Sequence, residues 1–240
     1  MSAGAIWHEI ECGAYAADLP LWEELSERAG GPVLELGCGT GRVVLHLAKR
    51  GHETIGLDSD GELLAALERR AAGLPVRAVH ADARDFELGE SVALALAPTH
   101  VLQLLPGSED RIEALRRVAA HLRPGGLLAA AIIEEMPPPD DSPPPLPDVR
   151  EVDGWVYSSR ATEAVVAPGE IVVRRLRETV SPTGELSEEP NEVRIATFPA
   201  TQLEAEGMLA GLTPVARNEI AATDLHVGSL VLVFGKDGAP

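Results

Sequence analysis

The chain has 240 residues, 45% of them hydrophobic, and 20 Lys and Arg against 38 Asp and Glu give it a formal charge of −18. That length holds one large domain or a core with an insertion, and an acidic surface of this strength disfavours binding to nucleic acid. Two cysteines, Cys12 and Cys38, make no disulfide framework, and no apolar run approaches the roughly 18 residues of a membrane span, so a soluble cytoplasmic protein is expected.

Residues 1–30 read as a helical cap that carries Trp7, His8, Tyr15 and Trp22. A short apolar strand over 32–36 then feeds a cluster of glycines. The helix over 42–50 places Val43, Val44, Leu47 and Ala48 on one face, and Gly51 ends it. A second strand over 53–58, a helix over 61–72, a third strand over 76–80 and a fourth over 91–97 follow. An amphipathic helix over 111–122 stops at Arg123-Pro124-Gly125-Gly126, and a fifth strand runs over 127–133. Strands alternating with helices of this length imply right-handed crossovers and a parallel sheet covered on both faces.

That alternation breaks at residues 137–147, where the run PPPDDSPPPLP predicts a stiff, extended connector. Beyond it, segments at 155–166, 170–180 and 192–198 predict an antiparallel unit of three strands. A helix over 201–210 and strands near 214–220 and 229–234 then resume the first pattern, so the β unit is inserted. The expected division is a cap over 1–30, a core over 31–136 and 199–240, and a connector with its β insertion over 137–198.

The loop Glu35-Leu36-Gly37-Cys38-Gly39-Thr40-Gly41-Arg42 carries the most chemistry. Glycines permit positive φ and close approach of a ligand to the backbone, and a turn at the carboxyl end of the first strand is where open α/β sheets bind nucleotide-like ligands. The dinucleotide fingerprint wants its third glycine at the position of Arg42. The Glu-Leu-Gly-x-Gly-x-Gly order instead resembles motif I of the class I S-adenosylmethionine-dependent methyltransferases. Gly56-Leu57-Asp58-Ser59, Ala81-Asp82-Ala83 and the Arg123–Leu128 turn resemble later motifs of that family, in its order.

The resemblance implies a Rossmann-like doubly wound α/β sheet of order 3-2-1-4-5-7-6 with its last strand antiparallel. It implies S-adenosylmethionine as cofactor, S-adenosylhomocysteine as product and no metal. Glu35, Gly37, Cys38, Gly39, Thr40 and Gly41 would form the cofactor loop, Asp58 and Ser59 the ribose site, Asp82 and Ala83 the adenine site, with Ala97 beside them. Ala93 stands where many members have an acid, and the Asn/Asp-Pro-Pro-Tyr/Phe signature of amino-methylating enzymes is absent.

His100, just beyond the fourth strand, is the candidate general base, since an unperturbed imidazole accepts a proton near neutrality. Tyr15 is the candidate to close over the methionyl part of the cofactor. An inserted β unit at this point is similar to that of the glycine N-methyltransferase-like and antibiotic sugar N,N-dimethyltransferase groups, where it covers the acceptor or builds a homodimer. Trp155, Tyr157 and the cluster Arg174, Arg175 and Arg177 are its candidate contacts for the acceptor, the arginines for an anionic one. The activity expected is methyl transfer to an O or N nucleophile of a small molecule. An NAD(P)-dependent oxidoreductase and a non-catalytic cofactor-binding module are the alternatives.

Overall fold

The computed structural model describes residues 1–136, 146–223 and 226–237. Most of the connector, 137–145, lies outside them.

Two helices, α1 (Ala3–Cys12) and α2 (Leu19–Ala29), precede the sheet. The strands β1 (Val33–Leu36), β2 (Thr54–Asp58), β3 (Val76–His80), β4 (Val92–Ala97) and β5 (Leu122–Ile132) then alternate with α3 (Arg42–Ala48), α4 (Gly61–Arg70) and α5 (Ser108–His121). Between β5 and α6 (Ala200–Leu209) lie β6 (Asp148–Val152), β7 (Trp155–Ala167), β8 (Glu170–Val180) and β9 (Leu186–Ala196). The chain returns through β10 (Leu212–Ile220) and β11 (Ser229–Lys236).

The main sheet has seven strands in the order β10-β11-β5-β4-β1-β2-β3. Its first five strands pair in parallel, and β11 runs antiparallel to both β5 and β10. This is the order the motifs implied.

Strand pleating divides the core. Leu34 and Leu36 of β1, Ala95 and Ala97 of β4 and Leu128 and Ala130 of β5 face α5 and α6. Val33, Leu94, Leu96, Ala129 and Ala131 face Trp22 and Leu25 of α2 and Val43 and Leu47 of α3. Burial on both faces explains why these strands read as unbroken apolar runs. At roughly 25 cal/mol per Å² of apolar surface, burying each such leucine stabilises the fold by about 2 kcal/mol.

The inserted sheet has four strands rather than three, in the order β6-β7-β8-β9, all antiparallel. The extra strand, β6, sits directly after the proline run, where alternating polar residues look like more connector. The last strand starts at Leu186 instead of Glu192, because β9 is an exposed edge whose Glu188, Glu189 and Pro190 give no apolar alternation. It nonetheless pairs with β8 along its whole length, from Leu186 opposite Val180 to Ala196 opposite Glu170.

Helix α1 joins the two sheets. Trp7 meets the Tyr157 ring edge-on, with centroids 5.2 Å apart and planes at 79°, and Ile6 and Ile10 pack beside it with Val152. Glu9 accepts from Arg70 of α4 and from Arg150 of β6, the latter at 2.9 Å. One carboxylate therefore ties the helix to both units.

Candidate active site

The glycine turn after β1 has the backbone that its sequence demands. Gly37, Gly39 and Gly41 have φ of +59°, +53° and +91°, the left-handed region that only glycine adopts freely. A Cβ on Gly41 would lie 2.3 Å from Leu67 Cδ1, so this glycine also lets the loop seat against α4. At the end of β2, Asp58 Oδ2 accepts from the Gly39 amide at 2.7 Å and Oδ1 from the Asp60 amide at 2.9 Å. Asp58 thus holds the turn from the neighbouring strand.

Gly37 and Gly39 face side chains of this chain. A Cβ on Gly37 would come within 2.6 Å of Val101 Cγ2, and one on Gly39 within 2.2 Å of His8 Nε2. The His8 ring lies across the cradle. Thr40 Oγ1 donates to Glu9 Oε1 at 2.7 Å, which leaves His8 Nδ1 as donor in its 3.2 Å contact with the same hydroxyl. Burial lowers the His8 pKa, although Asp58 and Glu9 pull the other way, so the ring is neutral at pH 7. Burial also opposes ionisation of Glu9, but hydrogen bonds from Thr40 and Arg150 outweigh it and hold the carboxyl below its usual range.

The remaining expected cofactor residues divide by where the backbone sends them. Pleating turns Glu35 to the α3 side of β1, where it is buried and accepts from the Val44 amide at 2.8 Å. Burial pushes its pKa up to about 8, Arg42 opposing, so it caps α3 as a neutral carboxyl. Cys38 points into the cluster with Leu64 and Leu67, and burial raises its thiol pKa strongly. Ala97 faces Leu102 in the α5 and α6 core. Asp82 is grasped by Arg84, which donates to Oδ1 at 2.9 Å and to Oδ2 at 2.7 Å and holds the carboxyl at about 2. Ser59 accepts at its carbonyl from His80 Nε2 at 3.0 Å, and Ala83 is half-buried in the turn after β3.

Glycine loop and amino-terminal segment meet through Arg42. The residue that displaces the dinucleotide motif's third glycine donates to the Tyr15 carbonyl at 3.0 Å, and its guanidinium lies 5.1 Å from the centre of the Tyr15 ring. Tyr15 also packs against His226, with centroids 4.6 Å apart and planes tilted by 37°. Both rings line a cavity of about 470 Å³ between α1, the inserted sheet and the segment before β11. Its remaining wall comes from Ile10, Glu11, Leu146, Asp148, Arg175, Thr223 and several alanines. His226 carried no sequence signal, since it sits in an irregular segment without periodicity.

His100 takes a different partner. It follows Thr99 in two successive left-handed residues, φ +46° and +66°, a costly backbone for side chains with a Cβ. Its Nε2 lies 3.1 Å from Ser229 Oγ at the start of β11. Burial lowers its pKa to about 4, with Asp18 opposing, so the ring is neutral at pH 7. It is absent from the residues that line the Tyr15 cavity.

Pleating also splits the arginine cluster. Arg174 turns outward to Glu163 and Glu192, while Arg175 and Arg177 turn toward α1 and Glu11. Tyr157 packs on Trp7, and Trp155 is half-exposed. No group of three or more potential metal ligands occurs among the described residues.

Residues 33–126 match the family model described as a methyltransferase domain. Over 97 residues the chain is 34% identical to the cypemycin N-terminal methyltransferase of a Streptomyces species, covering 40% of each protein. Over 113 residues it is 31% identical to a Streptomyces fradiae dTDP-3-amino-3,6-dideoxy-α-D-glucopyranose N,N-dimethyltransferase, covering 47% of this chain and 44% of that one. These matches span less than half the length of the curated relatives. Among solved structures, the sugar N-methyltransferase KedS8 from Streptoalloteichus superposes with a TM-score of 0.76 at 19% identity, over 98% of this chain and 93% of its own. DesVI of Streptomyces venezuelae gives 0.71 at 21%, over 97% and 95%. At such identities the superpositions speak for the fold, and the sequence matches for the cofactor half. The chain carries a methyltransferase domain set in the fold of the class I S-adenosylmethionine-dependent methyltransferases.

Proposed function

We propose that the chain transfers a methyl group from S-adenosylmethionine to an N or O nucleophile of a small molecule held in the Tyr15 cavity. The observation that carries this reading is the glycine turn pinned by Asp58, joined through Arg42 and Tyr15 to that cavity. The cofactor supplies an already activated methyl group, so the protein's task is to align the partners and exclude water.

The donor set fits this cofactor once His8 swings aside. The backbone of Gly39 then lies open, Asp58 stands at the strand end for the ribose hydroxyls, and Asp82 and Ala83 flank the adenine. Glu35, Cys38 and Gly41 act through the shape of the loop, Thr40 through its bond to α1, and Ser59 and Ala97 through the backbone beside them. Tyr15, whose phenol burial keeps protonated, walls the acceptor side. His226 in the cavity, whose pKa burial lowers, and His100 beside Ser229 are the two imidazoles we assign to the acceptor's proton. Free Cys12 and Cys38 support a cytoplasmic setting, and no described helix is long and apolar enough to cross a membrane. Association of two copies through the inserted sheet belongs to the same reading.

Calorimetry with S-adenosylmethionine, S-adenosylhomocysteine and NAD tests the cofactor. Heat with the first two and none with NAD is expected, and a response to NAD alone would overturn the reading. Transfer of a labelled methyl group to a panel of amines, phenols and carboxylates tests the chemistry.

A further inference from the structure

The charges around the Tyr15 cavity narrow its acceptor, an argument that rests on the methyl-transfer reading. Arg175 is the arginine in the wall, and its donors are already directed. Nε donates to Ser159 Oγ at 2.8 Å, Nη2 donates to Asp148 Oδ2 at 3.0 Å, and Glu11 lies 3.6 Å away. Arg177, next on the same face, forks onto Glu11 with two hydrogen bonds of 2.8 Å.

The pattern extends through the inserted sheet. Each of its six arginines has a carboxylate partner within 4.0 Å. Phosphate recognition depends on arginine forks that are open to the phosphate oxygens. Here Arg175 is engaged by Ser159 and Asp148 and Arg177 by Glu11, so a diphosphate would have to compete with a carboxylate for either in a protein of charge −18. In the Asp148–Arg175 pair the carboxylate keeps 45% of its side chain exposed against 18% for the arginine, so the acid is the partner open to an incoming ligand.

We infer that the acceptor is an amine without a phosphate group, anchored beside Asp148. An acceptor linked to a nucleoside diphosphate, like the one named for the Streptomyces fradiae relative, does not fit this wall. In the transfer, the amine lone pair forms the bond to the methyl carbon as the carbon–sulfur bond breaks and its electron pair stays on sulfur. The surplus N–H proton leaves to an imidazole or to water.

The full chain, labelled S-adenosylmethionine and three probes test this: glucosamine, alanine amide and uridine diphosphate glucosamine. Label is expected in at least one free amine, at a kcat/KM at least tenfold above that of the nucleotide-linked one. Asp148→Asn is expected to raise KM for that amine roughly tenfold with kcat changed less than twofold. It also loosens the grip on Arg175, so uridine diphosphate becomes an inhibitor of the variant and not of the parent, an effect that mere loss of stability would not produce. Preference for the nucleotide-linked probe, inhibition of the parent by uridine diphosphate, or no label in either free amine while the cofactor binds would overturn the inference. Absence of cofactor heat would overturn the methyl-transfer reading, and the inference with it.

Discussion

Arg42 grips Asp18 with both arms of its guanidinium, each at 2.6 Å, and the carboxylate is only 1% exposed. Trp22 Nε1 donates to the same carboxylate at 2.8 Å. The first residue of α3 thereby holds the segment between α1 and α2 against the cofactor loop. Removing one partner of a buried pair leaves the other uncompensated, at a cost of about 3–5 kcal/mol. Arg42→Ala is expected to lower stability by that order, read as a fall in urea midpoint. Arg42→Lys restores the charge without the fork and is expected to recover only part of it.

Glu35 gives a pH signature. Its folded pKa of about 8 lies above the ordinary 4.5, so between those values the native state binds more protons than the unfolded one. Stability from this group therefore falls as pH rises from about 5 to 8. Glu35→Gln keeps an acceptor for the Val44 amide and cannot titrate. Denaturant midpoints are expected to move in favour of the variant across that range and to keep a constant separation above it.

His8 must leave the space above Gly39 before a cofactor can lie there, and the work of moving it weakens apparent affinity. His8→Ala is expected to tighten S-adenosylhomocysteine binding about threefold by calorimetry. Gly39→Ala adds a Cβ at φ +53° and is expected to weaken it more than tenfold. Weaker binding in His8→Ala would make the ring a cofactor contact instead of a cover.

The two imidazoles are separable by kinetics. A positioned base contributes about 10²–10⁴ in rate, so alanine at the true proton acceptor lowers kcat by at least the lower figure while cofactor affinity holds. His100→Ala and His226→Ala are to be compared by turnover with a reactive acceptor. Unchanged turnover in either removes that residue from the chemistry.

What could be read from sequence follows the range of the forces involved. The glycine turn was legible because left-handed backbone restricts residue type, and the strand order because its motifs come in sequence. Glu35 was legible as a residue of the loop, whereas its bond to the Val44 amide was not, since it follows from the pleat of β1. His8 was named in the cap but given no role, because nothing in the periodicity of α1 says which surface the helix will cover. His226 and β6 lay in segments without apolar rhythm. The arginine cluster was visible, yet its neutralisation by Glu11 and Asp148 depends on partners brought together from distant parts of the chain.

The exposed edge formed by β9 has a bearing on how copies of this protein meet. A strand added there would find no amide donor at Pro190, and two such edges side by side would bring the carboxylates of Glu188 and Glu189 toward their counterparts. Strand addition at β9 is thereby opposed, which protects a long open strand from templating aggregates. Copies that meet at the inserted sheet are then steered away from this edge.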